Sequence, residues 1–238
     1  MLNVMLASTS TLFGSKYLQY IRPEIEQLFK QADQIIFIPF ARPGGISHED
    51  YTRQAAGFFE QLNITVHSIA DFEDPSTAIK SAKGFFTGGG NTFLLVKELH
   101  ERGLIGPLQS AVADGGIPYL GTSAGANIGG LTMQTTNDMP IVYPSSFRTL
   151  GLVPFNINPH FLDQQLLPTH MGETRETRIA EFHTQNSIPV VGLPEGSWIR
   201  GLGDKITVEG TAGAKIFEQG KAPYHISAGN ALAFGTTS

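Results

Sequence analysis

The chain of 238 residues contains no cysteine. This absence excludes disulfides, a cysteine nucleophile and thiolate-bound metal sites, and it fits a reducing compartment. Charged residues are also few, at 16% of the chain, and the net charge is -5. The sequence contains no cluster of lysine and arginine. A nucleic-acid-binding protein usually carries a basic patch, so this class of function is disfavoured. A small molecule is the expected partner.

Long apolar runs are missing as well. None approaches the roughly 20 residues that a helix needs to cross a bilayer. The N-terminal segment, residues 1–7, lacks the basic region of a signal peptide, and its apolar side chains predict a first β-strand instead. We therefore expect a cytoplasmic protein with no membrane partner, and the sequence leaves a homo-oligomer open.

Short apolar runs alternate with segments that carry helical patterns. Continuous apolar strands are typical of a parallel sheet that is covered on both faces. Predicted strands include residues 4–6, 35–38, 64–66, 84–86, 119–120 and 189–191, and predicted helices span 16–30, 48–62, 92–102 and 106–114. The alternation predicts an α/β fold with a doubly wound, mostly parallel sheet flanked by helices.

The C-terminal part of the chain has a different pattern. After Gly192, glycines separate short β-like pieces at residues 198–200, 205–208 and 214–217. We expect these pieces to add antiparallel strands at the edge of the sheet. Because no linker precedes them, residues 1–238 are predicted to form a single domain.

A serine lies in a turn between a predicted strand and a helix. Residues 121–125 read Gly-Thr-Ser-Ala-Gly, a G-x-S-x-G element that follows an apolar stretch. Such a turn exposes the serine hydroxyl at the carboxyl end of a sheet, and small residues let the helix pack closely behind it. The pattern favours Ser123 as a nucleophile that forms an acyl-enzyme. The alternative is a tight turn in which Ser123 only caps the helix.

A serine nucleophile needs a base and an orienting acid elsewhere in the chain. Among seven histidines, His160 stands out because Pro159 stiffens the extended backbone before it. The alternative is a half-buried histidine bonded to a backbone carbonyl. Asp138, Asp163 and the more distant Glu173 are candidates for the acid, and spacing alone does not separate them.

The reaction also needs N-H donors for the developing oxyanion. The residue after the nucleophile, Ala124, usually supplies one of them. A second donor is expected in the loop at residues 88–91, Gly-Gly-Gly-Asn, where glycines allow a close approach of the backbone to the substrate. A phosphate-binding loop is the alternative, but this sequence matches neither G-x-G-x-x-G nor the P-loop pattern.

Five ordered motifs make the chain similar to a known family. Residues 86–93, 121–127, 135–142, 157–161 and 172–175 resemble the motifs of peptidase E, the α-aspartyl dipeptidases. The resemblance implies a serine peptidase that hydrolyses dipeptides with an N-terminal aspartate (Asp-X), on a fold akin to class I glutamine amidotransferases. Some family members have an aromatic residue before the serine, where this chain has Thr122, and the last forty residues carry no recognised motif.

The resemblance also implies roles for individual residues. Ser123 matches the nucleophile, His160 the general base and Asp138 the third member of the triad. Gly89 and Ala124 match the oxyanion donors. Two further residues are expected to contact the substrate: Arg175, which would hold its aspartyl carboxylate, and Asn91.

Neither a cofactor nor a metal is expected, and the expected partner is a small peptide substrate. Two other functions remain open at this point. The same serine machinery serves in cyanophycinase-like hydrolysis of a β-linked aspartyl-arginine unit. A non-catalytic, amidotransferase-like binding module would keep the fold without the reaction.

Overall fold

The computed structural model describes residues 1–162 and 173–234. Within these ranges the strands are β1 (Asn3–Ala7), β2 (Gln34–Ile38), β3 (Thr65–Ser68), β4 (Phe85–Thr87), β5 (Tyr119–Thr122), β6 (Asn156–Pro159), β7 (Val190–Leu193), β8 (Ser197–Leu202), β9 (Lys205–Gly210), β10 (Ala214–Phe217) and β11 (Tyr224–Ile226). The α-helices are α1 (Arg22–Leu28), α2 (His48–Phe59), α3 (Pro75–Ser81), α4 (Thr92–Glu101), α5 (Ile105–Gln109), α6 (Ala124–Asn127) and α7 (Arg175–Phe182).

The larger sheet has seven strands in the order β3-β2-β4-β5-β1-β8-β9. Strands β1 to β5 pair in parallel, whereas β8 runs antiparallel to β1, and β9 antiparallel to β8. The predicted fold class is therefore confirmed, including the antiparallel strands at the edge. The carboxyl ends of β4, β5 and β1 lie side by side, which is where open α/β sheets bind their ligands.

A second sheet of four strands has the order β11-β10-β7-β6 and was not predicted. The segments at 189–191 and 214–217 were expected in or beside the main sheet, but β7 and β10 belong here. Strand β7 pairs in parallel with β6 and antiparallel with β10. An apolar run indicates that a strand is buried on both faces, but it does not indicate which strand will be its neighbour.

Both faces of the larger sheet are buried. In β1, Val4 and Leu6 join one apolar cluster, while Met5 and Ala7 join the other. This explains why the strands read as continuous apolar runs. The first cluster also contains Val191 and other residues of the second sheet, so the two sheets share one core. A single domain over residues 1–238 stays a prediction.

Helices α1, α2, α4 and α5 follow the predicted segments with local corrections, whereas α3 was not predicted. The helix expected over residues 16–30 is shorter, because Leu18 has a left-handed backbone with φ 57° and α1 starts only at Arg22, with a proline in its first turn. Helix α2 continues as a 3₁₀ turn to Leu62, and α5 is followed by a π-helical turn at Ser110–Asp114. In the described ranges, no helix is long and apolar enough to cross a membrane. The cytoplasmic location stays a prediction.

Candidate active site

Ser123 lies in the turn between β5 and α6. Its backbone has φ 55° and ψ -112°, and its N-H donates to the carbonyl oxygen of Ala7 at 3.0 Å. The turn depends on the absence of side chains, since a Cβ on Gly121 would overlap the carbonyl of Gly125, and a Cβ on Gly125 would overlap that of Thr87. The Ser123 side chain makes no capping hydrogen bond to α6. Its hydroxyl is therefore available for another partner.

That partner is His160. The imidazole Nε2 lies 2.8 Å from the Ser123 Oγ, although the two residues are 37 positions apart in sequence. His160 follows the last residue of β6, Pro159, and has a left-handed backbone with φ 52°. The extended backbone expected before His160 is confirmed as β6, which ends at Pro159. The distance allows direct proton transfer from the hydroxyl to the ring.

The other ring nitrogen faces Glu195. The Nδ1 of His160 lies 2.7 Å from Oε1 of Glu195, which comes two residues after the end of β7. The parallel pairing of β6 with β7 sets Pro159 opposite Leu193, so the residues that follow the two strands meet at one edge of the sheet. A carboxylate in this position holds the ring tautomer that leaves Nε2 free to accept a proton.

Asp138, which was expected as the third member of the triad, has different partners in this structure. Its Oδ2 accepts hydrogen bonds from the N-H of Thr92 at 2.7 Å and from the Thr92 hydroxyl at 2.6 Å. The carboxylate therefore stabilises the first turn of α4, where the helix dipole favours a negative charge. The third candidate, Glu173, pairs with Arg178 at 3.0 Å. The second, Asp163, lies outside the described residues.

The loop after β4 lies against Ser123. A Cβ built on Gly89 would be 3.0 Å from the Cβ of Ser123 and 3.4 Å from its Oγ, so the backbone of Gly89 is in close reach of the reacting atom. The hydroxyl of Tyr51, a buried residue of α2, donates to the carbonyl oxygen of Gly89 at 3.0 Å. Ala124 is buried at the start of α6. The two predicted oxyanion donors thus flank the serine.

The two residues expected to contact substrate lie in different surroundings. Arg175 is the first residue of α7, and its Nη1 is 3.4 Å from the carbonyl oxygen of Pro159, the residue before the candidate base. Burial, followed by the nearby Arg178, lowers the pKa of Arg175. Asn91 instead uses both ends of its amide within the protein, since Oδ1 caps α4 and Nδ2 donates to Met139.

Sequence reasoning missed Glu195, although a signal for it exists. Leu193-Pro194-Glu195-Gly196 resembles an ordinary turn, and Gly196 has a positive φ of 83°. The carboxylate follows a buried strand, and the carboxyl ends of neighbouring parallel strands meet. Had β6 and β7 been recognised as neighbours, Glu195 would have been a stronger candidate than Asp138.

The arrangement can carry out acyl transfer. It supplies a hydroxyl, a base within hydrogen-bond distance of it, a carboxylate behind the base and a glycine loop beside the hydroxyl. The part of the chain that the structure describes contains no group of three or more His, Asp or Glu residues placed to bind a metal ion.

Comparisons with known proteins agree with this chemistry. The model of peptidase family S51 matches residues 4–209. "Peptidase E" of Streptomyces coelicolor is 42% identical over 231 residues, which cover 97% of this chain and 93% of that protein. A Drosophila melanogaster protein named "Probable alpha-aspartyl dipeptidase" is 40% identical over 218 residues, 91% of this chain and 90% of that protein. Among solved structures, a peptidase from an acI-B1 Actinobacterium matches with a TM-score of 0.70 at 16% identity, covering 98% of this chain and 97% of that one, which shows a shared fold.

Proposed function

The chain belongs to peptidase family S51, and on that premise we propose that it is a serine peptidase that cleaves Asp-X dipeptides through an acyl-enzyme. The observation that carries the proposed mechanism is the 2.8 Å contact between the Ser123 hydroxyl and the His160 imidazole. The substrate class comes from relatives named peptidase E and alpha-aspartyl dipeptidase at about 40% identity.

In the first half of the reaction, His160 Nε2 takes the hydroxyl proton while Ser123 Oγ attacks the carbonyl carbon of the Asp-X peptide bond. Glu195 accepts the hydrogen bond from Nδ1 and stabilises the imidazolium that forms. The oxyanion develops against the N-H groups of Gly89 and Ala124. When the tetrahedral intermediate collapses, the C–N bond breaks, His160 returns the proton to the leaving amine, and the aspartyl group remains esterified to Ser123.

Water completes the second half of the reaction. His160 removes a proton from the water, whose oxygen attacks the ester carbonyl, and a second tetrahedral intermediate forms in the same oxyanion site. Collapse of this intermediate breaks the bond to Oγ, and the imidazolium returns a proton to Ser123. Free aspartate leaves, and the enzyme is restored with atoms and charge balanced.

Arg175 is the proposed anchor for the aspartyl side chain. A guanidinium presents a planar pair of donors that fits a carboxylate, and it remains charged in proteins even when burial lowers its pKa. Its contact with the carbonyl of Pro159, the residue before His160, supports this role. An Asn-X dipeptide offers no negative charge to this site, so Asp-X should be preferred.

Replacing the nucleophile tests the reaction. Ser123→Ala should lower kcat on α-Asp-Leu by about 10⁴-fold or more, because the remaining groups cannot form the acyl-enzyme. Turnover is measured by release of free aspartate, with enzyme of equal folded fraction. Near-normal turnover by Ser123→Ala would refute the serine mechanism.

Two further measurements separate the other functions. Cleavage of β-Asp-Arg at a higher kcat/KM than α-Asp-Leu would indicate the cyanophycinase-like reaction. A fluorophosphonate probe should label the wild type, and labelling should be lost in both Ser123→Ala and His160→Ala. An unlabelled wild-type protein without peptidase activity would indicate a binding module.

Replacing the proposed anchor tests substrate selection. Arg175→Gln should lower kcat/KM for α-Asp-Leu by about 10²-fold or more, because the substrate carboxylate loses a charged, two-point partner. The value for α-Asn-Leu should change by less than about threefold, since this substrate brings no charge to the site. Arg178→Gln is the matched control, as Arg178 pairs with Glu173 on the exposed side of α7. Equal losses on both substrates would assign Arg175 a structural role instead.

A further inference from the structure

Ser8 lies at the carboxyl end of β1 and has no solvent exposure. Its hydroxyl donates a hydrogen bond to the carbonyl oxygen of Leu193 at 2.7 Å and accepts one from the backbone N-H of His160 at 2.8 Å. Its own N-H donates to Ser197 at 3.1 Å. One buried hydroxyl therefore joins the larger sheet to the ends of both β6 and β7.

The position of this hydroxyl matters because of the backbone that it holds. His160 has a positive φ, and this conformation is unfavourable for a residue other than glycine, so the surrounding structure must hold it there. The N-H of His160 has its acceptor in Ser8, and the N-H of the next residue, Phe161, donates to Leu193 at 3.1 Å. The left-handed turn is thus fixed from two sides.

The same end of β1 binds the backbone of Ser123 and of His160 and the strand end that precedes Glu195. The carbonyl of Ala7 accepts from the N-H of Ser123, and Ser8 binds the backbone of His160. Ser8 also binds Leu193, which lies two residues before Glu195. The last residue of β1 and the residue after it therefore fix the backbones of the proposed nucleophile and base relative to each other and to the end of β7.

We propose that Ser8 is a positioning residue for the general base. It acts through the backbone of His160 and keeps the imidazole between Ser123 and Glu195 at the observed distances of 2.8 and 2.7 Å. This inference rests on the proposed function only in that His160 is taken to be the general base of the peptidase reaction. The placement of the ring itself can be measured without any substrate.

The first test removes the hydroxyl. Ser8→Ala should lower kcat on α-Asp-Leu by about 10- to 100-fold with KM within about twofold, because a small displacement of a base slows proton transfer without removing substrate contacts. The far-downfield proton resonance of the His160 Nδ1-H, identified by its loss in His160→Ala, should shift or broaden in Ser8→Ala. Rates are taken per active site, after titration with a fluorophosphonate.

The control is a second buried serine. Ser68 ends β3, is 2% exposed, and accepts a hydrogen bond from the N-H of Ala70 at 3.3 Å. Ser68→Ala should lower the melting temperature slightly and leave both kcat and the downfield resonance unchanged. If Ser8→Ala behaves as Ser68→Ala does, Ser8 is only a structural residue and the proposal is overturned.

Two conservative variants keep the test decisive if Ser8→Ala fails to fold. Ser8→Cys keeps the size of the side chain but offers only weak hydrogen bonds, so it should fold and show the reduced kcat. Ser8→Thr keeps a hydroxyl and should recover most of the rate. Wild-type activity in Ser8→Cys would overturn the proposal. Failure of the wild type to cleave any Asp-X dipeptide would refute the proposed function, whereas the downfield resonance would still decide the role of Ser8.

Discussion

At the scale of single residues, backbone strain is concentrated at the reacting groups. Among the described residues, only Leu18, Asn63, Ser123 and His160 have positive φ without being glycine, and two of these four are the candidate nucleophile and base. Asparagine and histidine adopt positive φ more often than most residues do, but every residue with a Cβ adopts it at a cost. The cost is offset by specific contacts, including the hydrogen bonds from Ser123 to Ala7 and from His160 to Ser8.

The role of the carboxylate behind the base can be tested at this scale. Glu195→Gln should lower kcat by about 10³- to 10⁴-fold, because a neutral amide neither stabilises the imidazolium nor enforces the right tautomer. The downfield resonance of the His160 Nδ1-H should also move upfield or disappear.

Asp138→Asn is the informative comparison for Glu195→Gln. The carboxylate of Asp138 binds the start of α4 and not the imidazole, so the downfield resonance should persist in this variant. Any loss of kcat in Asp138→Asn would then come from the loop and helix that follow Gly89. A resonance that survives in Glu195→Gln and vanishes in Asp138→Asn would restore Asp138 as the orienting acid.

At the scale of elements, the strand-turn-helix unit around Ser123 depends on glycines that have no room for a side chain. Gly125→Ala should destabilise the protein by about 1–3 kcal/mol or more, because the new Cβ would overlap the backbone of Thr87 and force β4 and α6 apart. Chemical denaturation measures the change, and the activity should fall as the turn at Ser123 moves.

A glycine inside a helix gives the opposite expectation and serves as the control. Gly57 lies in α2, has no atom within 4 Å of its built Cβ and does not adopt a positive φ. Gly57→Ala should therefore stabilise the protein by up to about 1 kcal/mol, since alanine loses less backbone entropy in a helix. Destabilisation of similar size in both variants would show that the close packing at Gly125 is not the cause.

The elements also show what the sequence can and cannot predict. Strands β1, β2, β4 and β5 were predictable, because burial on both faces leaves an uninterrupted apolar run. Strand β6 was harder to assign, since Asn156-Ile157-Asn158-Pro159 has neither a long apolar run nor clear alternation. Its two asparagines instead bind backbone and side chains of the loop at residues 132–137. Such pairings join distant parts of the chain, and local pattern does not encode them.

The distance along the chain also explains which residues of the candidate site could be predicted from the sequence. Ser123 was predictable because its whole signal lies within five residues, and His160 was singled out by the proline before it. Glu195 became evident only through the pairing of β6 with β7, which brings residues 35 positions apart into contact. A local motif therefore singled out the candidate nucleophile, whereas the partner of the candidate base required the tertiary structure.

At the scale of the whole molecule, the site joins two sheets. Ser123 follows a strand of the larger sheet, while His160 and Glu195 follow strands of the second sheet. The geometry of the proposed triad therefore depends on how the sheets pack. Ile157 lies at this contact, since it is fully buried and its carbonyl accepts hydrogen bonds from Asn127 of α6 and from Thr135.

This dependence predicts that cavities of similar size will have different effects on activity. Ile157→Ala and Ile79→Ala should each destabilise the protein by about 2–5 kcal/mol, because both side chains are buried in the same core cluster. Ile79 belongs to α3, which follows the edge strand β3, far along the sheet order from β5 and β1. Only Ile157→Ala should lower kcat in the folded protein, because β6 can then shift relative to the turn at Ser123 and carry His160 with it.

Calorimetry gives the stability of the two variants, and kcat is measured well below both melting temperatures. Equal kcat values in the two variants would mean that the hydrogen bonds around β6 hold the site independently of the packing between the sheets.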